Sequence, residues 1–343
     1  MHDEMRIEIT DSSPSDIFQW DQLAKKNSNL FQGSFYDESQ IFFNQKPVYF
    51  NCFINKELVG GTKLFLYESK KLPAPIRFIS RRATQLSEVL FDEDCTYSFT
   101  IFFNKLKSTV FEWLRNQKVA QFYEYSFYGE PEKLIEVPFA KIIWESKIGI
   151  ALIDLTKSEE HLLENINPKH RRPIIKAREA NLQFFIAEDI DSFLEMINED
   201  SVNKGGNKLN KKFLKNEYKI LRKNNLAQIA FVKDENEIIS AALIYMFGKK
   251  AYYAFGGNKK SSSGAGQFLH WEIMKSLKKN EFSFYSLGET ALAKDDANEK
   301  FSTGITSFKL KFGANQLPTF HRGYALKPLS AGIWKLMQKI FIR

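Results

Sequence analysis

The chain has 343 residues, 43% hydrophobic and 26% charged, with 32 phenylalanines and a formal net charge of +8. Such apolar content excludes a disordered chain, and the length exceeds one ordinary core, so two domains are expected. The only cysteines, Cys52 and Cys95, exclude a disulfide framework and form no metal-ligand pattern, so no metal is expected and a reducing compartment fits.

The first residues, "MHDEMRIEIT", are polar and mixed in charge, unlike a signal peptide. The longest apolar run, "IISAALIYMFG", is about half of the ~20 residues needed to span a bilayer. A soluble cytoplasmic protein is expected, or one that touches a membrane only from its inner face. Residues 15–45 read as helical pieces and a loop. "VYFNCFINKELVGGTKLFLY" reads as a hairpin around "NKEL". "SFTIFFNKLKSTVFEWLRNQK" has helical spacing, with Phe99, Phe102, Phe103, Leu106, Val110, Trp113 and Leu114 on one inward face. "VAQFYEYSFY" reads as a strand.

The second half repeats this order. "LAQIAFVKDENEIISAALIYMFG" is a hairpin, "KKAYYAFGG" a third strand, and "GAGQFLHWEIMKSLKKN" a helix with Phe268, Leu269, Ile273 and Leu277 inward. "EFSFYSLG" is a further strand. The repetition implies two copies of one α/β (α+β) module, each a mixed sheet flanked by helices. The boundary is expected near residue 150. After it, Ser158 caps a helix with Glu159 and Glu160 in its first turn, and Pro168 is expected to end that helix.

The next helix is "NPKHRRPIIKAREAN", with Lys169, Arg171, Arg172, Lys176 and Arg178 in ten positions beside His170. Spacings of three and four place Lys169, Arg172 and Lys176 on one face, and Ile166, Pro173, Ala177 and Ala180 on another. The plainer reading is a solvated cationic face. The alternative is a phosphate-binding stripe, since no acid interrupts the run before Glu179 and arginine forks suit phosphate oxygens.

Near the end, "SFKLKFG" sets Lys309 between Phe308 and Phe312. The lysine is either snorkelling or partly buried against a negative charge. The five histidines are scattered, and no P-loop or GxSxG occurs. "NINPKHRRPIIKAREANLQF", "AYYAFGG", "LHWEIM" and "FKLKFG", taken in order over residues 150–325, closely resemble the Fem family, the FemA/FemB-like aminoacyltransferases that build peptidoglycan cross-bridges. "LFQGSFYDESQ" and "LVGG" extend the resemblance more loosely into the first half.

The resemblance implies two tandem acetyltransferase-type (GNAT) modules. Residues 1–150 with 315–343 form an acceptor-side lobe, and 151–314 an acyl-donor and catalytic lobe. It implies transfer of an amino acid from aminoacyl-tRNA, a co-substrate rather than a cofactor, to an amine of a cell-envelope precursor, lipid-linked or not. Lys309 would be catalytic, stabilising the oxyanion or the charge on the leaving ribose oxygen. Lys169, Arg171, Arg172, Lys176, Phe255 and Phe308 would contact substrate, the basic residues meeting phosphates of the tRNA acceptor end or of a nucleotide-linked substrate. The sequence departs from the family at Glu38, where one branch has a diphosphate-binding lysine, and at Phe255, where it has tyrosine. It departs again at "SLGE", Ser286–Glu289, where Asp-Leu-Gly-Gly is usual.

Two other functions stay open. One is transfer from acetyl-CoA to an amino sugar or surface glycan, because Gly264 and Gly266 in "KKSSSGAGQF" partly match the glycine loop that holds coenzyme A pyrophosphate. The other is a non-catalytic RNA- or envelope-binding module. Glu289, Asp295 and Asp296 are candidate bases. In 332–343, Ile333, Leu336, Met337 and Ile340 share one helical face, a candidate for peripheral membrane contact or for packing on the first lobe. No DNA partner is expected.

Overall fold

The computed structural model describes residues 5–10, 17–127, 140–259, 264–292, 303–327 and 333. Two compact units emerge: Met1–Ile148 with Pro318–Arg343, and Gly149–Leu317.

The first unit runs β1 (Arg6–Thr10), α1 (Ile17–Lys26), α2 (Asp37–Ile41), β2 (Gln45–Ile54), β3 (Glu57–Tyr67), β4 (Arg82–Gln85), β5 (Leu90–Phe91), α3 (Phe99–Asn116) and β6 (Gln121–Glu124). β7 (Lys141–Asp154) contains the boundary. The β2–β3 hairpin turns at Asn55 and Lys56, whose positive φ values of 50° and 71° fit the tight turn a twisted hairpin favours. β4 pairs in parallel with β6, from Arg82 opposite Gln121 to Gln85 opposite Glu124.

The second unit continues with α4 (Glu159–Asn165), α5 (Pro168–Glu179), β8 (Gln183–Ala187), α6 (Ile190–Asn203), α7 (Lys211–Lys223), β9 (Ala227–Asp234), β10 (Glu237–Phe247), β11 (Lys250–Asn258), α8 (Ala265–Lys279), β12 (Phe284–Ala291) and α9 (Thr303–Leu310). The last strand, β13 (Asn315–Ala325), ends in the first unit, where Arg322–Ala325 pair antiparallel with β6. The order strand, two helices, three strands, helix, parallel strand therefore occurs twice, with the two-residue β5 added in the first copy, as the repeated-module reading expects.

Each unit has its own core. Phe50, Leu64, Phe102, Leu106 and Phe122 are fully buried in the first, and Ala242, Ile244, Ile273, Met274 and Tyr285 in the second. The α3 face differs from the expected one. Phe99, at the helix start, is 46% exposed, whereas Lys107 and Phe111 are buried. Lys107 tolerates burial because its Nζ donates to Gln85 Oε1 at 3.2 Å and pairs with Glu124. A second buried pair holds "LFQGSFYDESQ": Lys63 Nζ lies 2.6 Å from Asp37 Oδ1 and donates to the Gly33 carbonyl at 2.6 Å. Glu38 is exposed in the first turn of α2.

Ser158 caps α4 by accepting from the His161 N–H at 3.2 Å. Pro168 does not end that helix, which stops at Asn165. It opens α5 instead, after the Asn167 cap, because a residue lacking N–H is well placed at a helix start.

Candidate active site

The site lies where β11 and β12 part. Their parallel pairing covers only Lys250 with Phe284, Ala251 with Tyr285 and Tyr252 with Ser286, although both strands run on. Just past Tyr252 the β10–β11 register shifts between Leu243 and Ile244, and such a bulge bends a strand. The result is a wedge between the C-terminal parts of two parallel strands.

Lys309 reaches this wedge from α9. Its Nζ donates to the Glu289 carbonyl at 2.8 Å. Gly288 adopts φ +79°, and a Cβ there would meet the Tyr252 hydroxyl at 3.3 Å and Lys309 Nζ at 3.6 Å. Glycine suits that position twice: left-handed backbone disfavours a side chain, and the lysine occupies the space. Burial brings the Lys309 ammonium down to about 8, against the pull of Glu289 to raise it. Burial and then the Glu289 charge push the Tyr252 hydroxyl up, so it stays protonated.

Aromatic rings wall the lysine helix. Phe308 lies 5.2 Å from Phe312, 4.9 Å from the ring of His170 and 5.8 Å from that of His270. Phe312 lies beyond the last helical residue, Leu310, so the two phenylalanines meet across a turn rather than along one helical face. His270 Nδ1 is 2.9 Å from the Tyr285 hydroxyl. Burial first, then Lys309 and His170, drive the His270 ring down to about 3, so it is neutral at physiological pH. The arrangement fixes one ammonium, with a carboxylate nearby, in surroundings drier than water. Such a charge stabilises a developing oxyanion.

The basic helix belongs to the same unit. Lys169, Arg172 and Lys176 are exposed, and none pairs with a carboxylate among the described residues. Arg171 is half-buried and contacts the Glu164 carbonyl at 3.4 Å. Arg178 differs: it lies 3.9 Å from Glu272 and over the Trp271 ring. Of the expected apolar face, Ile166 and Ala177 are buried, whereas Pro173 is only half-buried and Ala180 is exposed; His170 and Ile174 complete the buried face instead.

Gly264 ends the loop before α8 at φ +88°, and a Cβ there would meet Pro173 at 3.0 Å. A Cβ on Gly266 would meet Asn258 Oδ1 at 2.8 Å. Neighbours within the protein therefore explain both glycines without a phosphate. Phe255 is half-buried on β11 opposite Leu243, past the point where β12 departs. Asp295 and Asp296 lie outside the described residues, leaving Glu289 as the described candidate base. Tyr252, Gly288, His170 and His270 were not singled out by spacing. Their only sequence signals were the blocks "AYYAFGG", "SLGE", "NPKH" and "LHWEIM". In the first unit, Gln85 and Glu124, the last pair of the β4–β6 ladder, are tied by Lys107, and Tyr324 donates to Glu124 at 2.8 Å.

Residues 168–300 match the family model described as acetyltransferase (GNAT) domain. No curated protein matches the sequence. Among solved structures, FemX superposes with a TM-score of 0.72 at 14% identity, covering 95% of this chain and 99% of its own. A tandem GNAT protein from the clavulanic acid biosynthesis pathway gives 0.52 at 12% identity, covering 93% and 98%. The C-terminal domain of a putative lysylphosphatidylglycerol synthetase from Agrobacterium fabrum gives 0.53 at 14% identity, covering 94% and 95%. The chain thus carries a GNAT domain on a Fem-like tandem fold, and it is an acyltransferase.

Proposed function

We propose that the chain is a Fem-like non-ribosomal aminoacyltransferase, moving an amino acid from aminoacyl-tRNA to an amine of a cell-envelope, peptidoglycan-type precursor. The observation that carries this is the presence, within one unit, of the Lys309 ammonium at the β11–β12 wedge and of the exposed stripe Lys169, Arg172 and Lys176 on α5, which has no carboxylate partner among the described residues. A stripe of that kind suits the phosphates of a tRNA acceptor end, and Arg171 would join it. The likeness to a lysylphosphatidylglycerol synthetase domain supports an aminoacyl group as cargo. The second unit is the donor and catalytic side, and the first is the acceptor side.

In this reading the acceptor amine attacks the ester carbonyl. A C–N bond forms and the bond to the ribose oxygen breaks. Lys309 stays protonated and stabilises the oxyanion. Glu289 takes the proton lost by the amine and passes it to the ribose oxygen, which leaves as a hydroxyl and returns Glu289 to its carboxylate. Phe308 and Phe312 keep water from the ammonium, which strengthens its field. Phe255, on the part of β11 past the wedge, contacts the acceptor.

The family model's match to an acetyltransferase domain favours a second reading, in which acetyl-CoA is the donor and α8, after Gly264, receives its pyrophosphate. Incubation with charged tRNA and, separately, with acetyl-CoA, each with cell-wall precursor, decides between them. Consumption of the tRNA ester supports the first reading. Consumption of acetyl-CoA alone overturns it in favour of the second, and consumption of neither points to a non-catalytic binding module.

A further inference from the structure

The C-terminal end of the lysine helix is closed by another helix. An α-helix leaves its last four carbonyls without intrahelical partners. Around the end of α9, Lys311, Phe312 and Gly313 donate to the carbonyls of Ser307, Lys309 and Leu310 at 3.1, 3.3 and 3.1 Å. The Phe308 carbonyl, next to Lys309, is instead met by His170 Nε2 at 3.0 Å. The Asn167 N–H donates to the Lys311 carbonyl at 2.9 Å. Gly313, at φ +77°, approaches the backbone of Asn165 so closely that a Cβ there would sit 3.0 Å from its carbonyl oxygen. Three contacts thus come from the end of α4 and the start of the basic helix α5.

His170 is built for this contact. It is 5% exposed, its ring packs 4.9 Å from Phe308 and 4.8 Å from Phe312, and its Nδ1 has no hydrogen-bond partner. A ring nitrogen that faces a carbonyl donates to it, so Nε2 carries a proton. Burial lowers the proton affinity of the ring. One turn further along α5, Pro173 packs against Gly264, the residue that caps α8. The basic helix therefore contacts the end of the lysine helix through His170 and the start of α8 through Pro173.

We propose that His170 is a positioning residue: it caps the Lys309 helix from the basic helix, so that an anion seated on Lys169, Arg172 and Lys176 also sets the place of the Lys309 ammonium. This rests on the aminoacyl-transfer reading for its consequence, not for its geometry. The groups that face Lys309 are Glu289 and Gly288 on β12, Tyr252 on β11 and His270 on α8. Lys311 follows α9, and His170 acts through the Phe308 carbonyl. Only the last link is altered by changing position 170.

The test uses the intact chain with His170→Phe, which keeps a ring but loses the N–H, and His170→Gln, which keeps an N–H donor without the ring. His170→Ala stands in should the Phe variant fail to fold. Lys309 is labelled with acetic anhydride across pH and read by peptide mass. The expected result is that the labelling midpoint of Lys309 rises by about one pH unit or more in His170→Phe, as the ammonium gains water, and returns in His170→Gln. Turnover falls about tenfold in the Phe variant with KM for aminoacyl-tRNA within about twofold, as loss of orientation rather than of binding requires. Bulk tRNA shifts Lys309 labelling in the wild type and not in His170→Phe. An unchanged midpoint in the Phe variant, or a Gln variant indistinguishable from it, overturns the proposal. If labelling shifts as expected while Lys309→Ala still transfers the aminoacyl group, the coupling stands and the catalytic reading falls.

Discussion

Lys309→Met should abolish transfer and stabilise the fold together. The ammonium has an ordinary value of 10.5 and burial brings it to about 8 in the folded chain. At 1.36 kcal/mol per pH unit, that gap amounts to about 2 to 3 kcal/mol once partial exposure is allowed for. The sign follows from linkage. Below about pH 8 the lysine is charged in both states, and the folded state bears the whole desolvation cost. From about 8 to 10.5 the folded amine is neutral while the unfolded one still holds its proton, so the cost fades. Methionine has a similar length and volume and would occupy the same space beside Gly288 without a charge. Urea unfolding should therefore show Lys309→Met more stable than wild type by about 2 kcal/mol at pH 7 and about equal above pH 10.5. Turnover should fall about a hundredfold or more, with donor binding kept. A variant that is no more stable at pH 7, or one whose stability gain is the same at both pH values, would refute the claim that a desolvated ammonium is held at this site.

Turnover of the wild type should fall as pH rises through about 8, because the neutral amine no longer stabilises an oxyanion; a flat rate to pH 9 would count against a charged Lys309. Lys311→Ala should keep near-wild-type rates, since it is the Lys311 carbonyl that meets Asn167. Reversing Arg171, Arg172 and Lys176 to Glu should abolish tRNA binding and flatten its salt dependence in a folded protein, measured by filter binding at several salt concentrations; unchanged affinity would reduce the stripe to a solvated surface. Asp37→Asn strands the fully buried Lys63 ammonium and should cost about 3 kcal/mol in urea unfolding, because a buried charge loses its partner. A chain ending at Ala331 should sediment less with anionic liposomes than the full chain if residues 332–343 touch a membrane; Ile333, the one described residue there, is 51% exposed, and equal sedimentation removes the idea.

Much of this protein was legible along the chain because its information is local. Strand–turn–strand at Asn55–Lys56, the Ser158 cap and the inward face of α8 follow from periodicity and turn chemistry, which act over a few residues. The repeated element order showed for the same reason, since each copy spells out its own pattern. Lys309 stood out because a charge between two aromatics conflicts with its neighbours, and such conflicts tend to mark sites.

What only the tertiary structure decided depends on partners distant in sequence. The burial of Lys107 rests on Glu124, and that of Lys63 on Asp37; no spacing rule joins either pair. The buried face of α5 was misjudged because Pro173 and Ala180 look apolar. It is His170, a polar residue satisfied by a carbonyl 138 positions away, that turns inward. The glycines 264 and 266 resembled a phosphate loop, yet Pro173 and Asn258 already fill the space beside them. Gly288 is the glycine that "SLGE" keeps from the usual motif, and its left-handed backbone at +79° without a side chain leaves room for the Lys309 amine. Helix and turn signals arise within one stretch of chain, whereas the lowered proton affinity of Lys309 arises from burial among segments distant in sequence, β11, β12 and α8. The sequence determined that there would be two modules and one suspicious lysine; folding brought the basic helix to cap the helix that bears it.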